Sequence, residues 1–466
     1  MTQVMATAQI ERRDMQGNSM LYAWYVASLL TLTQIVSYMD RFLPSLLLEP
    51  IKRELHLTDF QVGLLLGPAF AVFFIALGIP IGWLADRVSR RALLAIGITF
   101  WCLMTAMGSI ARDFLPLFTT RLGVGVGEAT VVPSSMSLIS DYFPRERRSR
   151  AISLFMAGTF LGAGSSFLFF GPLVHHIESL PPITLPLLGQ LQSWRLCFLI
   201  VGLPGIVMTL LMLTVREPAR MDRVMLDGKP SLSKPSLKDA IGFIGKHWMA
   251  FGALFVASAS NLTMGALSFW NVALFKRSWG WNVGEVGTAV GLILLTAGPA
   301  GTLFGIWMTN RGLAAGRRDA TLRVLFLGLV IGVPAYTIFP LMPSATIGLV
   351  ALFCAHIGQS MATAAGPATL MMLAPGQMRG QVTAIYYLVI SVISQLLGPP
   401  LVGLMTDGFG DPNDLRYAVS LEVLIVGIPA LVLAFLGFAA YRRSVLEMDG
   451  MLARDALPAQ EALLAS

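Results

Sequence analysis

The chain has 466 residues, 55% hydrophobic and 13% charged, with a mean hydropathy of +0.70. Soluble domains carry about a quarter charged residues, so a soluble multidomain protein is excluded and a polytopic membrane protein is indicated. The net charge of +7 and the pI near 9.5 do not point to nucleic acid, because the basic residues fall in alternate loops rather than on one solvated, aromatic-lined face.

In chain order, a polar stretch at 1–20 comes first. It lacks the short apolar core and small-residue cleavage site of a signal peptide, so the run that follows is expected to be retained as a span. Apolar runs then occupy 21–48, 59–84, 91–111, 114–142, 149–173, 195–215, 247–275, 283–309, 321–341, 345–374, 380–405 and 415–441. Each provides the roughly 20 residues that a hydrocarbon core of about 30 Å requires. Backbone groups in lipid are satisfied only in helices or closed barrels, and runs this long select helices. Cys102, Cys197 and Cys354 all lie inside these runs and read as small buried hydrophobes rather than as a disulfide or metal set.

The longest connection, 216–246, is rich in Lys, Arg, Ser and Pro and divides the runs six and six. The expected organisation is an N-terminal tail at 1–20, a bundle at 21–215, a linker at 216–246, a second bundle at 247–441 and a tail at 442–466, the tails being mobile and polar. Loops on the side of the N-terminus hold about four times as many Lys and Arg as loops on the other side, so both termini are expected in the cytoplasm. Short loops and the lack of processing signals suggest a bacterial cytoplasmic membrane. The halves echo one another: GWLADRVSRR at 82–91 by GIWMTNRG at 305–312, and PRERRSRA at 144–151 by PGQMRGQV at 375–382. Two copies of one six-helix unit follow.

GWLADRVSRR resembles the signature loop of the major facilitator superfamily, in which Gly82 lets neighbouring helices approach. Asp86 accepts from helix N-terminal amides or pairs with a basic side chain, and Arg87, Arg90 and Arg91 fix topology. These five residues form a candidate conformational latch; Asn310 takes the place of Asp86 in the second copy. The fold implied is all-α and integral to the membrane, with twelve transmembrane helices in two pseudo-symmetric six-helix bundles. YMDRFLPSLLLEPIKREL at 38–55 and RLGVGVGEATVVPSSMSLISDYFPRERRSRAISLF at 121–155 resemble the Spinster family, whose members move lysolipids and sphingoid phosphates. That likeness covers mainly the first five helices.

Charges inside a membrane cost about 2.5–3.5 kcal/mol each on insertion scales and face a polar cavity or one another. Asp40 and Arg41 on the first helix and Arg121 on the fourth lie at similar depths, with Glu128 roughly 10 Å further in on the same face as Arg121. Asp40–Arg121 and Arg41–Glu128 could be plain braces between helices. The functional reading makes Asp40 and Glu128 the proton-exchanging groups and Arg41 and Arg121 their charge partners or the clamp on a substrate headgroup. GVGVGE at 123–128 lacks the strand and helix of a phosphate loop and reads as close helix packing through Gly123 and Gly127.

The second half offers no comparable intramembrane acid or Arg. Its polar candidates are Asn261, His356, Gln359, Thr363 and Gln395, each an interhelical hydrogen-bonding residue or a cavity contact. A charged wall opposite an apolar, Met-containing wall suits an amphiphile; an organic anion or a drug fits nearly as well. His175 and His176 are placed in an external loop. No metal set, cofactor motif or GK-Ser/Thr nucleotide loop is present, and a lipid-acting membrane enzyme lacks the acidic surface loop it would need. The sequence therefore reads as a secondary transporter, not an enzyme, with protons, the bilayer and an amphiphilic small molecule as partners and the monomer as the working unit.

Overall fold

The computed structural model describes residues 18–181, 183–185, 189–218, 237–375 and 378–464. The N-terminal tail up to residue 17 and most of the linker, 219–236, lie outside the described residues. Among the described residues, twelve helices are long and apolar enough to cross a membrane: Met20–Leu46, Asp59–Ala85, Arg90–Gly108, Phe114–Tyr142, Glu146–Ser179, Ser193–Leu213, Trp248–Trp279, Val283–Ala314, Ala320–Leu341, Ala345–Leu373, Arg379–Phe409 and Pro412–Met448. They are numbered below as spans 1 to 12. A short hairpin pairs 183–185 antiparallel with 189–191.

Three expectations are corrected. His175 and His176 are not in a loop; they sit exposed in the helix Gly171–Ser179 that ends span 5. The helix of span 12 continues to Leu464 through the expected C-terminal tail, a stretch rich in Ala, Leu, Met and Glu, which favour helix. Cys102 and Cys197 are buried as expected, but Cys354 is exposed. Many large apolar side chains are exposed as well, among them Leu203, Ile206 and Leu210 on span 6 and Phe435 and Leu436 on span 12, as befits helices whose solvent is lipid.

The chain forms two compact units. One comprises 1–57, 68–225 and 282–291; the other comprises 58–67, 226–281 and 292–466. In the first, span 1 packs on span 5, span 3 on span 4 and span 6 on span 3; in the second, span 7 packs on span 11, span 9 on span 10 and span 12 on span 9. The duplication seen in the sequence is thus repeated in the packing. Its tightest marker is a glycine crossing. A Cβ on Gly127 would lie 2.7 Å from the Gly97 carbonyl oxygen, and one on Gly358 would lie 2.6 Å from that of Gly328, so backbones touch at both crossings. The offsets agree: 328 − 97 = 231 and 358 − 127 = 231.

Spans 5 and 11 share a second device. Each carries a π-helical segment, Ser166–Phe170 and Val392–Leu397 respectively, directly before a Gly-Pro step. Proline has no amide hydrogen to give and its ring crowds the preceding turn, so the helix widens there. Onto these points pack the short segments grouped with the opposite half of the sequence: Gly287 against Gly171 in the first unit, and Gly63 and Gly67 against Pro399 in the second.

Candidate functional site

Span 1 supplies four polar neighbours within five residues: Ser37, Tyr38, Asp40 and Arg41. Helical side chains lean towards the helix N-terminus, so Arg41 reaches back one turn to the level of Ser37. Both meet Glu128 of span 4 at the same oxygen: Ser37 Oγ donates to Oε2 at 2.6 Å and Arg41 Nη2 at 2.9 Å. Asp40, one residue earlier and about 100° around the helix, faces the part of span 4 nearer that span's N-terminal end. There Arg121 Nη1 donates to its Oδ1 at 3.2 Å and Arg121 Nη2 to its backbone carbonyl at 3.3 Å, while Thr105 Oγ1 of span 3 donates to Oδ2 at 2.5 Å.

The four charges are therefore two ion pairs in one unit. Asp40, Arg121 and Glu128 are buried, and only the Arg41 side chain, 13% exposed, keeps access. Among the described residues, Glu128 Oε1 and the Nε atoms of Arg41 and Arg121 have no hydrogen-bond partner. The Arg41 guanidinium lies 4.1 Å from the ring centre of Phe70, 4.5 Å from that of Tyr38 and 5.0 Å from that of Phe74, a cage that holds a cation by its ring faces. Ser37, Thr105 and this cage were not legible as site residues. A Ser–aromatic pair preceding Asp-Arg on the helix face was the only signal.

The GVGVGE stretch does what packing requires: Gly127 meets Gly97 and Trp101, Gly123 meets Met104, and Gly125 meets the Phe70 backbone. These contacts bring span 4 and its two charges against spans 2 and 3.

The candidate latch divides. A Cβ on Gly82 would meet only Pro133 at 4.0 Å, so Gly82 does not allow a close helix approach here. Asp86 is exposed and makes no side-chain bond among the described residues, correcting the expected pairing. Arg87 stacks on Trp83 with 3.5 Å to the ring centre. The buried member is Arg90, which pairs with Asp141, with Glu217 Oε1 at 2.8 Å and with Ser137 Oγ at 2.9 Å. The Arg91 amide donates to Glu217 Oε2 at 2.9 Å, and Ser89 Oγ donates to the same oxygen. Burial pushes the Glu217 carboxyl up, but the bonds from the Arg91 amide, Arg90 and Ser89 outweigh it and hold it below the usual carboxylate range.

In the second unit, His356 Nδ1, Gln359 Oε1 and the Tyr336 hydroxyl form one network with separations of 2.9–3.3 Å. Asn261 donates to Thr363 at 2.8 Å. Gln395 lies in the π-helical segment without a described side-chain partner. The expectation that this half offers no comparable intramembrane acid is corrected in one respect: Glu422 sits in span 12, fully buried. A lone Glu in an apolar run far from any motif gave no pattern to read. In the same unit, buried Asp59 takes two guanidinium bonds from Arg277 at 2.8 and 2.9 Å, and Asp407 accepts the Asp59 and Phe60 amides at 2.9 and 2.8 Å.

The 231-residue offset aligns the charged set with an uncharged one. Glu128 and Arg121 correspond to Gln359 and Leu352, and Ser37-Tyr38-Met39-Asp40-Arg41 to Ser268-Phe269-Trp270-Asn271-Val272.

Two bundles of six membrane spans, one of them holding two ion pairs within its spans 1 and 4, define a multi-pass membrane transporter. The chain belongs to the Major Facilitator Superfamily, whose family model matches residues 30–273 and 249–456. The resemblance to Spinster also holds. A solved bacterial homologue of the human lysosomal transporter Spinster, in an inward-facing and unoccupied conformation, is 26% identical. Its TM-score is 0.71, and the match covers 91% of this chain and 97% of that one. Protein spinster of Drosophila melanogaster is 24% identical over 62% of this chain, which spans about half (46%) of that relative. An MFS-type efflux pump of Mycolicibacterium smegmatis is 27% identical over 91% of this chain and 95% of its own length.

Proposed function

We propose that the chain is a proton-coupled secondary carrier that exports an anionic amphiphile with a lysolipid- or sphingoid-phosphate-like head. It works by alternating access of the bundles 21–215 and 247–441, as a monomer in a bacterial cytoplasmic membrane with both termini in the cytoplasm. The observation that carries the reading is the Arg41–Glu128 pair. Arg41 is the one accessible charge of the four, and its guanidinium is bounded by three aromatic rings and one carboxylate. A phosphate head replaces that carboxylate on the guanidinium, and the apolar rings receive the first part of the tail.

Exchange requires Glu128 to let go. Protonation removes its charge and weakens its hold on Arg41, so proton uptake and headgroup binding become alternatives to one occupied Arg41–Glu128 pair. Asp40 and Arg121, held by Thr105 and buried, form the second pair through which the proton is relayed. The Arg90–Asp141–Glu217 cluster, with Ser89 and Arg91, latches one conformation. Asn261, His356, Gln359 and Gln395 are neutral polar contacts. Similarity to Spinster proteins supports the lipid class, whereas similarity to an efflux pump over 91% of the chain favours a drug/proton antiporter as the second reading.

The test is transport of a labelled lysolipid or sphingoid phosphate in proteoliposomes, with and without a pH gradient, for the parent, Asp40→Asn and Glu128→Gln. Gradient-driven transport in the parent, lost in both variants, is expected. Parental gradient-driven rates in both variants would reduce the charged pairs to scaffolding, and a parent that moves drugs but no lipid would transfer the assignment to the antiporter reading.

A further inference from the structure

Glu422 is the buried acid that the two ion pairs do not involve. It lies seven residues into the helix starting at Leu415, roughly 10 Å from that end at about 1.5 Å per residue. Its exposure is 0%, and neither carboxyl oxygen has a hydrogen-bond partner among the described residues. The side chain points at the start of the helix Gly398–Phe409: a Cβ on Gly398 would lie 3.5 Å from Glu422 Oε1 and 3.1 Å from the Thr263 methyl. It therefore sits where span 12 meets spans 7 and 11.

Both neighbours are irregular at that point. Span 7 is interrupted by a 3-10 turn at Leu267–Trp270, four residues past Thr263, and span 11 by the π-helical segment Val392–Leu397, which ends directly before Gly398. The two breaks are tied together by Trp270 Nε1 donating to the Pro399 carbonyl at 3.2 Å. The carboxyl thus faces two helix interruptions.

Among the described residues no counter-charge reaches it. Span 7 from Trp248 to Trp270 and the segment Val392–Leu397 contain no ionisable residue. On the other packed elements, Arg277 pairs with Asp59, Arg323 with Asp319, and Asp407 caps the amides of residues 59 and 60. Tyr336 and His356 bond each other and Gln359, and Arg416 on its own helix donates to Ser278. A fully buried carboxylate without cation or donor forfeits its hydration, whereas the neutral acid forfeits far less.

We propose that Glu422 is a second proton-binding site of the carrier: a neutral acid in this conformation, which ionises only when the segments 267–270 and 392–397 rearrange and admit water. It rests on the proton-coupled reading for its biological use but on none of the residues Asp40, Arg41, Arg121 or Glu128. The proton is lost to water and regained from it, with no other group exchanged. Opening at these segments then rises with pH, because release of one proton makes the open state about tenfold more favourable per pH unit.

The test uses the purified full-length protein. Infrared difference spectra of parent against Glu422→Gln are expected to contain one protonated carboxylic C=O band, which Glu422→Asp shifts rather than removes, keeping the question answerable if the amide variant folds poorly. Hydrogen exchange of peptides covering 263–272 and 392–400, corrected for the chemical rate, is expected to accelerate about tenfold per pH unit in the parent and to be flat in Glu422→Gln. Absence of the band overturns the proposal, as does its loss on adding sodium, which would make the ligand a metal cation. Equal exchange slopes in parent and variant also overturn it, leaving a neutral filler. The same spectra in Asp40→Asn/Glu128→Gln separate the two claims: band and slope persist there even if proton-driven transport through the first pair of acids is disproved.

Discussion

Breaking the Arg41–Glu128 pair from either side should have unequal consequences, and a double-mutant cycle measures the inequality. Arg41→Gln leaves Glu128, which is buried, with Ser37 as its one remaining donor and Oε1 already unpartnered. Removing one partner of a buried pair costs about 3–5 kcal/mol. Glu128→Gln takes about 1.5–3 kcal/mol of charge-assisted bonding from Arg41. The three aromatic rings, worth about 0.5–2 kcal/mol to a cation, and the partial exposure of Arg41 offset part of that. The double variant has neither orphaned charge and should be more stable than Arg41→Gln alone, with a coupling of about 0.5–3 kcal/mol. Thermal unfolding in detergent, followed by intrinsic fluorescence, should therefore rank the parent first, Glu128→Gln next, then the double variant, with Arg41→Gln last. A double variant less stable than Arg41→Gln would show that the two side chains stabilise independently and would refute the pairing.

Three further outcomes are expected. Glu217→Gln should lower the unfolding temperature at neutral pH, and the gap to the parent should close with acidification. The Glu217 carboxyl is held below its usual range, so its contribution is complete above the unfolded carboxyl value and fades as pH falls through the lowered one; a gap independent of pH would contradict this. Asp407→Ala removes two caps on the helix starting at Asp59 and should cost about 1 kcal/mol. Arg277→Gln takes both guanidinium bonds from buried Asp59 and should cost about 3–5 kcal/mol; equal losses in chemical unfolding would show that the ion pair is dispensable.

What could be read in the sequence follows from the periodicity of each signal. Apolar runs of span length are long and uninterrupted, so all twelve spans were legible, as was the duplication, carried by loop motifs at fixed offsets. Asp40, Arg41, Arg121 and Glu128 stood out because charge is costly in lipid. The partner of Arg90 was not legible: Asp141 and Glu217 lie 51 and 127 residues away, and only folding brings them together. Glu422 was missed because it has no charged neighbour in sequence or in space to mark it. Gly82 and Asp86 illustrate the reverse case, a motif whose residues hold no tight contact in this conformation.

The twin bundle separates what the fold needs from what the charges add. At the 231-residue offset the glycine crossings are kept, Gly97–Gly127 against Gly328–Gly358, so the backbone geometry of the paired spans is the same. The side chains at the ion-pair positions are not: Asp40, Arg41, Arg121 and Glu128 correspond to Asn271, Val272, Leu352 and Gln359, every one uncharged and all but Gln359 buried. An amide replaces each carboxylate, which is the nearest steric match to a permanently protonated acid, and an aliphatic residue replaces each arginine. A six-span unit of this architecture therefore packs without the four charges. Their desolvation cost in the first bundle is not a requirement of folding, and the amide variants used to test proton coupling place in the first bundle side chains that the second already accommodates.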